Sequence, residues 1–302
     1  MDRAVLLKQL LNQVYDQYHR REFLQSDPLE FPHRFQRPRE QEAVAVLSAL
    51  LAYGNVKQIR RSVQDALDRM APWGGPEEWI LTLSREKNSD GAARAMRGFV
   101  HRFNTGSDLV TLFKLIGRSW REFGSVGEHF LSFHRSDAAT VEPALNALIR
   151  KWREWAHSEF HVSRSGNFDY LLTAPEDGSC CKRWCMLLRW MGRSNDELDL
   201  GLWAPGLRAS QLLLPLDTHT GRISQYIGLT RRRTLNWRAV LEVTDSLRSL
   251  CSEDPTRYDF ALARLGILDL CQMKYRPEIC SQCSLNPICL WSQAAQKGAH
   301  SR

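Results

Sequence analysis

Two sets of residues in this chain have types and spacing that could do chemistry. The first is a lone carboxylate, Asp217, in the stretch "PLDTHTGRIS" (215–224), between a proline-marked loop and a helix predicted over 218–228 with Ile223, Tyr226 and Ile227 on one side. An aspartate there is either a helix cap, worth about 0.5–2 kcal/mol, or a catalytic carboxylate held rigidly at a helix start. The second set lies in the tail, where Cys271, Cys280, Cys283 and Cys289 follow the spacing C-x8-C-x2-C-x5-C. Three thiolates in so short a loop can reach one centre, and Cys271 can supply the fourth. Four thiolates suit tetrahedral zinc or a four-iron four-sulfur cluster. A zinc ribbon normally carries two C-x2-C knuckles and this tail has one, which favours a 4Fe–4S loop and keeps zinc as the alternative. Cys180, Cys181, Cys185 and Cys251 share no such spacing and read as small buried hydrophobes.

The elements that must position these groups are helical throughout. "REQEAVAVLSALLAYG" (39–54) is apolar on almost every face and predicts a buried central helix. Amphipathic helices are predicted at 1–23, 56–70, 90–103, 108–124, 141–160, 180–193, 235–251 and 255–271, with no strand series and no internal repeat. The chain has 302 residues, 43% of them hydrophobic, enough for a sizeable core. Linker-like stretches near 28–39 and 194–211 suggest two lobes whose boundary is crossed twice. The net charge of +7, from 41 Lys and Arg against 34 Asp and Glu, suits a polyanionic partner, nucleic acid before membrane. No secretory signal and no bilayer-length apolar run is visible, so a cytoplasmic, reducing setting is expected, in which clustered cysteines hold metal.

"LDTHTGRISQYIGL", followed by a further helix and the four-cysteine loop, resembles the helix-hairpin-helix DNA glycosylases of the endonuclease III superfamily. There the pattern V-D-T-H-x-x-R-V carries the catalytic aspartate and a C-x6-C-x2-C-x5-C tail carries a 4Fe–4S cluster; the first cysteine gap here is longer by two. "GSCCKRWCMLLRWMGR", "LLLPLDTHTGRIS" and "DPTRYDFALARLG" together also resemble a bacterial branch grouped with that superfamily, over about 25–270. In its bifunctional members a lysine opens the helix after the hairpin, and the matching residue is Lys182, 35 positions before Asp217. The hairpin's own L-P-G-V-G-x-K is missing: "APEDGSCCK" offers one glycine, Gly178. That longer lysine-to-aspartate gap is similar to the archaeal 8-oxoguanine glycosylases.

The resemblance implies an all-α, two-lobed fold: a helical barrel at 40–205 with the hairpin-like turn, and a second lobe from 1–39 plus 206–302 with the cluster loop. It implies base excision from double-stranded DNA carrying a damaged base such as oxidised guanine, or an abasic site, by a monomer that joins the nucleoid when bound. Breaking an N-glycosidic bond builds positive charge on the sugar, which a nearby carboxylate stabilises; a neutral amine can attack C1′ and form a Schiff base whose β-elimination nicks the strand. Arg183 and Arg189 lie near Lys182 in sequence and could favour the neutral amine. Two alternatives stand beside this: a silent nucleic-acid-binding relative, and a protein of this fold acting on RNA or nucleotides.

An extruded base needs flat or apolar walls. Of the ten tryptophans, Trp184 and Trp190 at helical spacing read as core, and Trp203 in "GLWAPG" is the stacking candidate. Tyr53, Asn55 and Gln58, after the central helix, are candidates for insertion into the DNA stack, with Asn55 equally a helix cap. Arg231, Arg232 and Arg233 offer phosphate contacts or a solvated turn. His219 touches phosphate or packs, and has no metal-binding partner at useful spacing.

Overall fold

The computed structural model describes residues 2–85, 89–163, 166–194 and 196–299. The described residues are mostly helical, 62% helix against 1% strand, as expected for an all-α protein. The helices are α1 (Arg3–Tyr18), α2 (Pro38–Leu50), α3 (Val56–Met70), α4 (Pro76–Leu83), α5 (Ser89–Ala95), α6 (Gly106–Phe123) and α7 (Val126–Leu131). There follow α8 (Glu142–Ser158), α9 (Lys182–Gly192), α10 (Thr218–Tyr226), α11 (Trp237–Arg248), α12 (Asp259–Ile267), α13 (Pro277–Cys280) and α14 (Leu290–Ala299).

The core is built on two helices without a polar face. In α2, Pro38 opens the first turn, where its missing N–H costs nothing, and every residue from Ala43 to Leu50 is buried. In α9 every residue after Lys182 is buried, and α9 packs on α2. Around this pair α4, α7 and α8 pack on α6, whose N-terminus is fixed by a capping box between Thr105 and Asp108. The buried stripe of α1, Leu7, Leu10, Leu11 and Val14, lies on the side that meets α12, and α12 also packs on α10. The chain's first helix thereby braces the two helices that carry Asp217 and Asp259.

A buried carboxylate ties this core together. Glu42, 3% exposed, accepts four N–H bonds: from the indoles of Trp120 (2.8 Å) and Trp203 (2.9 Å) and the amides of Val126 and Gly127 (2.9 Å each). Without such partners, burial would leave the group's lone pairs stranded. The cost of that choice falls on the stacking candidate of the sequence: Trp203 is 4% exposed, its N–H is committed to Glu42, and its ring stacks on Phe130. Trp203 is a core residue and offers no face to a ligand.

Other differences have local causes. The helix expected over 90–103 ends at Ala95, because Gly98 (φ +79°) and Arg102 (φ +56°) turn the chain into an antiparallel hairpin, β1 (Val100–His101) with β2 (Asn104–Thr105). The first helix stops at Tyr18 instead of continuing to residue 23, and α12 occupies only the middle of 255–271. Helices α4 and α7, of eight and six residues, are too short to stand out by periodicity. The linker-like stretches are packed: Leu29 and Phe31 in the first and Leu198 and Leu207 in the second are buried, though residue 195 lies outside the described residues. Among the described residues no helix is long and apolar enough to cross a membrane.

Candidate functional site

The chain enters α9 through two left-handed residues, Gly178 (φ +78°) and Cys181 (φ +45°), so Lys182 is the first helical residue. Gly178 closes a 3-10 turn (Pro175–Asp177) and its carbonyl accepts the Trp237 amide at 3.1 Å, joining this turn to the start of α11. Asp217 caps α10: its Oδ1 accepts the His219 and Thr220 amides at 2.9 Å each. Its other oxygen, Oδ2, lies 3.2 Å from Lys182 Nζ. Capping and pairing with the lysine are thus divided between the two oxygens of one carboxylate. The side chains are 32% (Lys182) and 30% (Asp217) exposed, so both groups reach solvent. Burial pushes the Asp217 carboxyl up, but the Lys182 ammonium, the Thr220 amide and His219 outweigh it and hold the group below the usual carboxylate value.

Lys182 and Asp217 sit at the edge of a cavity of about 320 Å³ between α9, α10, α12 and the residues around 26–28 and 52–59. Ile59, Met186 and Phe260 supply apolar surface. The polar floor is made of two ion pairs: Arg189 Nη1 to Asp259 Oδ2 at 2.6 Å, and Arg264 to Asp27, whose partners come from opposite ends of the chain. The Arg264 guanidinium also lies 3.9 Å from the Phe260 ring centroid. Burial raises the Asp259 carboxyl to about 6 although Arg189 opposes it, and the nearby charges of Asp217 and Asp199 add to the rise. The Nε atoms of Arg189 and Arg264 are buried without a hydrogen-bond partner. The arginines expected to crowd Lys182 are occupied elsewhere: Arg183 donates to the carbonyls of Leu50 and Tyr170, and Arg189 is paired with Asp199 and Asp259. The charge nearest Lys182 is Asp217, of opposite sign.

The tail brings its cysteines within electrostatic reach of one another. Burial raises the Cys283 thiol, with Cys271, Cys289 and Cys280 adding to the rise, and Cys271 is raised by burial and then by Cys289 and Cys280. Backbone amides are aimed at three of the sulfurs: Met273 N–H at Cys271, Leu285 N–H at Cys283 and Arg276 N–H at Cys280. By type, four half-buried cysteines, three of them facing a backbone amide, are the donors that a four-thiolate group takes. Among the described residues no three His, Cys, Asp or Glu side chains form a group that could hold a single metal ion. Two of the four cysteines, Cys271 and Cys289, lie within electrostatic reach of Tyr226, the last residue of α10, whose ring stacks on Trp291.

The remaining sequence candidates scatter. Asn55 caps α3, its Oδ1 accepting the Lys57 amide at 2.9 Å, while Gln58 is exposed in the first turn of that helix. Tyr53 is half-buried, with its hydroxyl bound to Asn104 Oδ1 (2.5 Å) and the His101 carbonyl (3.1 Å), so it is anchored and not free to insert. His219 is exposed beside the cavity, its ring against Gly266 of α12. Arg231, Arg232 and Arg233 are exposed on the loop between α10 and α11, Arg232 paired with Glu242 at 2.7 Å. Cys181 and Cys185 are buried as expected, whereas Cys180 is half-buried in the groove beside Asp217. Sequence reasoning missed Asp27, Asp259 and Arg264. A buried-face arginine and aspartate in α12, within "YDFALARLG", were the only local signal for two of them.

Fold and site together define a helical protein with a lysine–aspartate pair, drawn from two helix N-termini, over a polar-floored cavity. Residues 27–268 match the family described as a protein of unknown function (DUF2400), and the chain belongs to that family. No curated protein and no solved structure matches it.

Proposed function

We propose that this protein is a DNA base-excision glycosylase of the helix-hairpin-helix type, with an AP lyase step through Lys182. The observation that carries the reading is the 3.2 Å contact between Lys182 Nζ and Asp217 Oδ2, at the edge of the cavity and part-open to solvent. In this reading the damaged base of a duplex is drawn into the cavity, its sugar facing the pair. Departure of the base takes the C1′–N bonding electrons and leaves positive charge on the sugar, which the Asp217 carboxylate stabilises. A carboxylate held below its usual value is a poor proton acceptor, so its contribution is electrostatic. The Lys182 amine, after giving one ammonium proton to solvent, adds to C1′; the C1′–O4′ bond then breaks, its electrons and a proton going to the ring oxygen, to leave a protonated imine, and loss of the C2′ proton to solvent expels the 3′ phosphate by β-elimination. The two carboxylates and two guanidiniums of the cavity floor offer both acceptors and donors to a ring edge, as an oxidised guanine would need. Arg231, Arg232 and Arg233, linked to the Gly178 turn through the start of α11, would hold backbone phosphates.

Cys271, Cys280, Cys283 and Cys289 would hold a 4Fe–4S cluster, with zinc the alternative; when bound it supplies cross-links and not hydrolytic chemistry. Because α10 has Asp217 at one end and Tyr226 near Cys271 and Cys289 at the other, that cross-link would brace the helix that aims the carboxylate. The barrel at 40–205 and the second lobe of 1–39 plus 206–302 would be the two walls of the DNA groove. The test is a screen of lesion-bearing duplexes, with RNA and free nucleotides as controls, reading base release and strand cleavage separately. Release from at least one duplex, lost in Asp217→Asn, is expected; no release from any duplex would remove the proposal.

A further inference from the structure

The hairpin at 100–105, which the helical pattern of the sequence hid, places an aromatic cluster beside the groove. Phe103, next to the turn residue Arg102, stacks on Tyr53 at 5.3 Å (29° between planes) and meets Tyr170 edge-on at 4.7 Å. Tyr53 and Tyr170 are 5.0 Å apart, and the buried Arg183 guanidinium lies 4.2 Å from the Tyr170 centroid. The cluster is rigid. Besides the two Tyr53 hydroxyl bonds, Asn167 Nδ2 donates to the Phe103 carbonyl and Asn104 Nδ2 to the Asn167 carbonyl, each at 3.1 Å. Yet Phe103 is 37% and Tyr170 40% exposed. Flat rings fixed in place and left open to water are preorganised to receive another flat ring. Two of them, Tyr53 and Tyr170, border the same depression as Lys182, Asp217 and His219. Arg102 lies against Gly54 at the rim and Arg183 is buried below, while Lys182 and Asp217 offset each other within the depression; the chain carries +7 overall.

We propose that Phe103 and Tyr170 form a stacking site for the orphaned nucleobase, the base of the opposite strand that loses its partner when the damaged base enters the cavity. This rests on the glycosylase reading of the groove. Extruding one base leaves the other unstacked as well as unpaired, and an aromatic face beside the groove replaces the lost stacking without reading the base's identity. The charge argues for a nucleic-acid occupant over an apolar protein surface.

The test is equilibrium binding by fluorescence anisotropy to two duplexes that cannot react. One carries a tetrahydrofuran abasic analogue opposite an ordinary base; the other carries the analogue on both strands, so that no orphaned base exists. The double variant Phe103→Ala/Tyr170→Ala is expected to bind the first duplex about ten-fold or more weaker, and the second within about two-fold of wild type. Phe103→Trp should retain wild-type affinity for the first; because the two rings are only 37% and 40% exposed, the double alanine is expected to unfold at a lower temperature, and its retained binding to the second duplex shows that the groove is still folded. Equal losses on both duplexes, no loss on either, a Trp variant as weak as the double alanine, or no wild-type binding to the first duplex would overturn the proposal. Since no bond is broken, orphan-dependent binding without base release in the lesion screen would leave this site standing while removing the glycosylase chemistry.

Discussion

Asp217→Asn separates the two tasks assigned to this carboxylate. Asparagine caps a helix about as well as aspartate, so Oδ1 can keep the His219 and Thr220 amides at their 2.9 Å positions. What is lost is the charge at Oδ2. Its partner Lys182 is 32% exposed and can turn to water, so the ion pair contributes about 0–1 kcal/mol to stability. The favourable interaction of a carboxylate with the α10 N-terminus adds about 0.3–1 kcal/mol. The variant should therefore unfold within about 2 kcal/mol of wild type in urea. Charge stabilisation of the developing sugar cation is a far larger loss, about 10²–10³-fold in rate for one electrostatic group. Asp217→Ala removes the cap too and should cost about 1 kcal/mol more stability at the same low activity. The assay is urea unfolding beside single-turnover base release on the fastest duplex of the screen. Asparagine retaining release within about three-fold of wild type would refute the electrostatic role. Destabilisation beyond about 3 kcal/mol would refute the half-exposed geometry.

Three further outcomes follow from the structure. Trp203→Phe keeps the ring's place beside Phe130 but strands one lone pair of Glu42, and should cost about 1–3 kcal/mol in urea unfolding while leaving DNA affinity unchanged. Asp259 has a folded value of about 6 against 3.8 for the free group, so the native state binds the proton more tightly. Stability from this group is present at acid pH and lost as pH rises from about 4 to about 6, by up to about 3 kcal/mol; comparing wild type with Asp259→Asn across that window should show wild type losing ground upward. Cys283→Ser should abolish visible absorbance and iron content, and should slow base release through α10 without touching the Lys182–Asp217 pair directly; unchanged metal content would remove Cys283 from the ligand set.

How much was legible beforehand divides along sequence distance. Helix α3 was read to the residue because a charged, strongly amphipathic stretch lies between the Asn55 cap and the Ala-Pro turn. Asp217 was legible as a cap because its two amide partners lie two and three residues away. The cavity floor was not: Arg264 meets Asp27 across 237 positions, and nothing local marks either as a partner. Trp203 misled because a Gly- and Pro-flanked indole looks like a loop residue, while the carboxylate that buries it, Glu42, is 161 positions away. The hairpin failed for a different reason: "GFVHRF" alternates too briefly to compete with the helical pattern before it, and the backbone reversals at Gly98 and Arg102 decide it.

In the proposed lyase step the Lys182 amine reaches the sugar carbon from which the base departs. Borohydride reduction during incubation with an abasic-site duplex tests it directly, since only an imine between Nζ and C1′ becomes a permanent covalent link. Wild type should give a protein–DNA adduct, and Lys182→Ala none, at matched DNA occupancy. An adduct of equal yield in the alanine variant, or none with a wild-type protein that binds the duplex, would contradict that step.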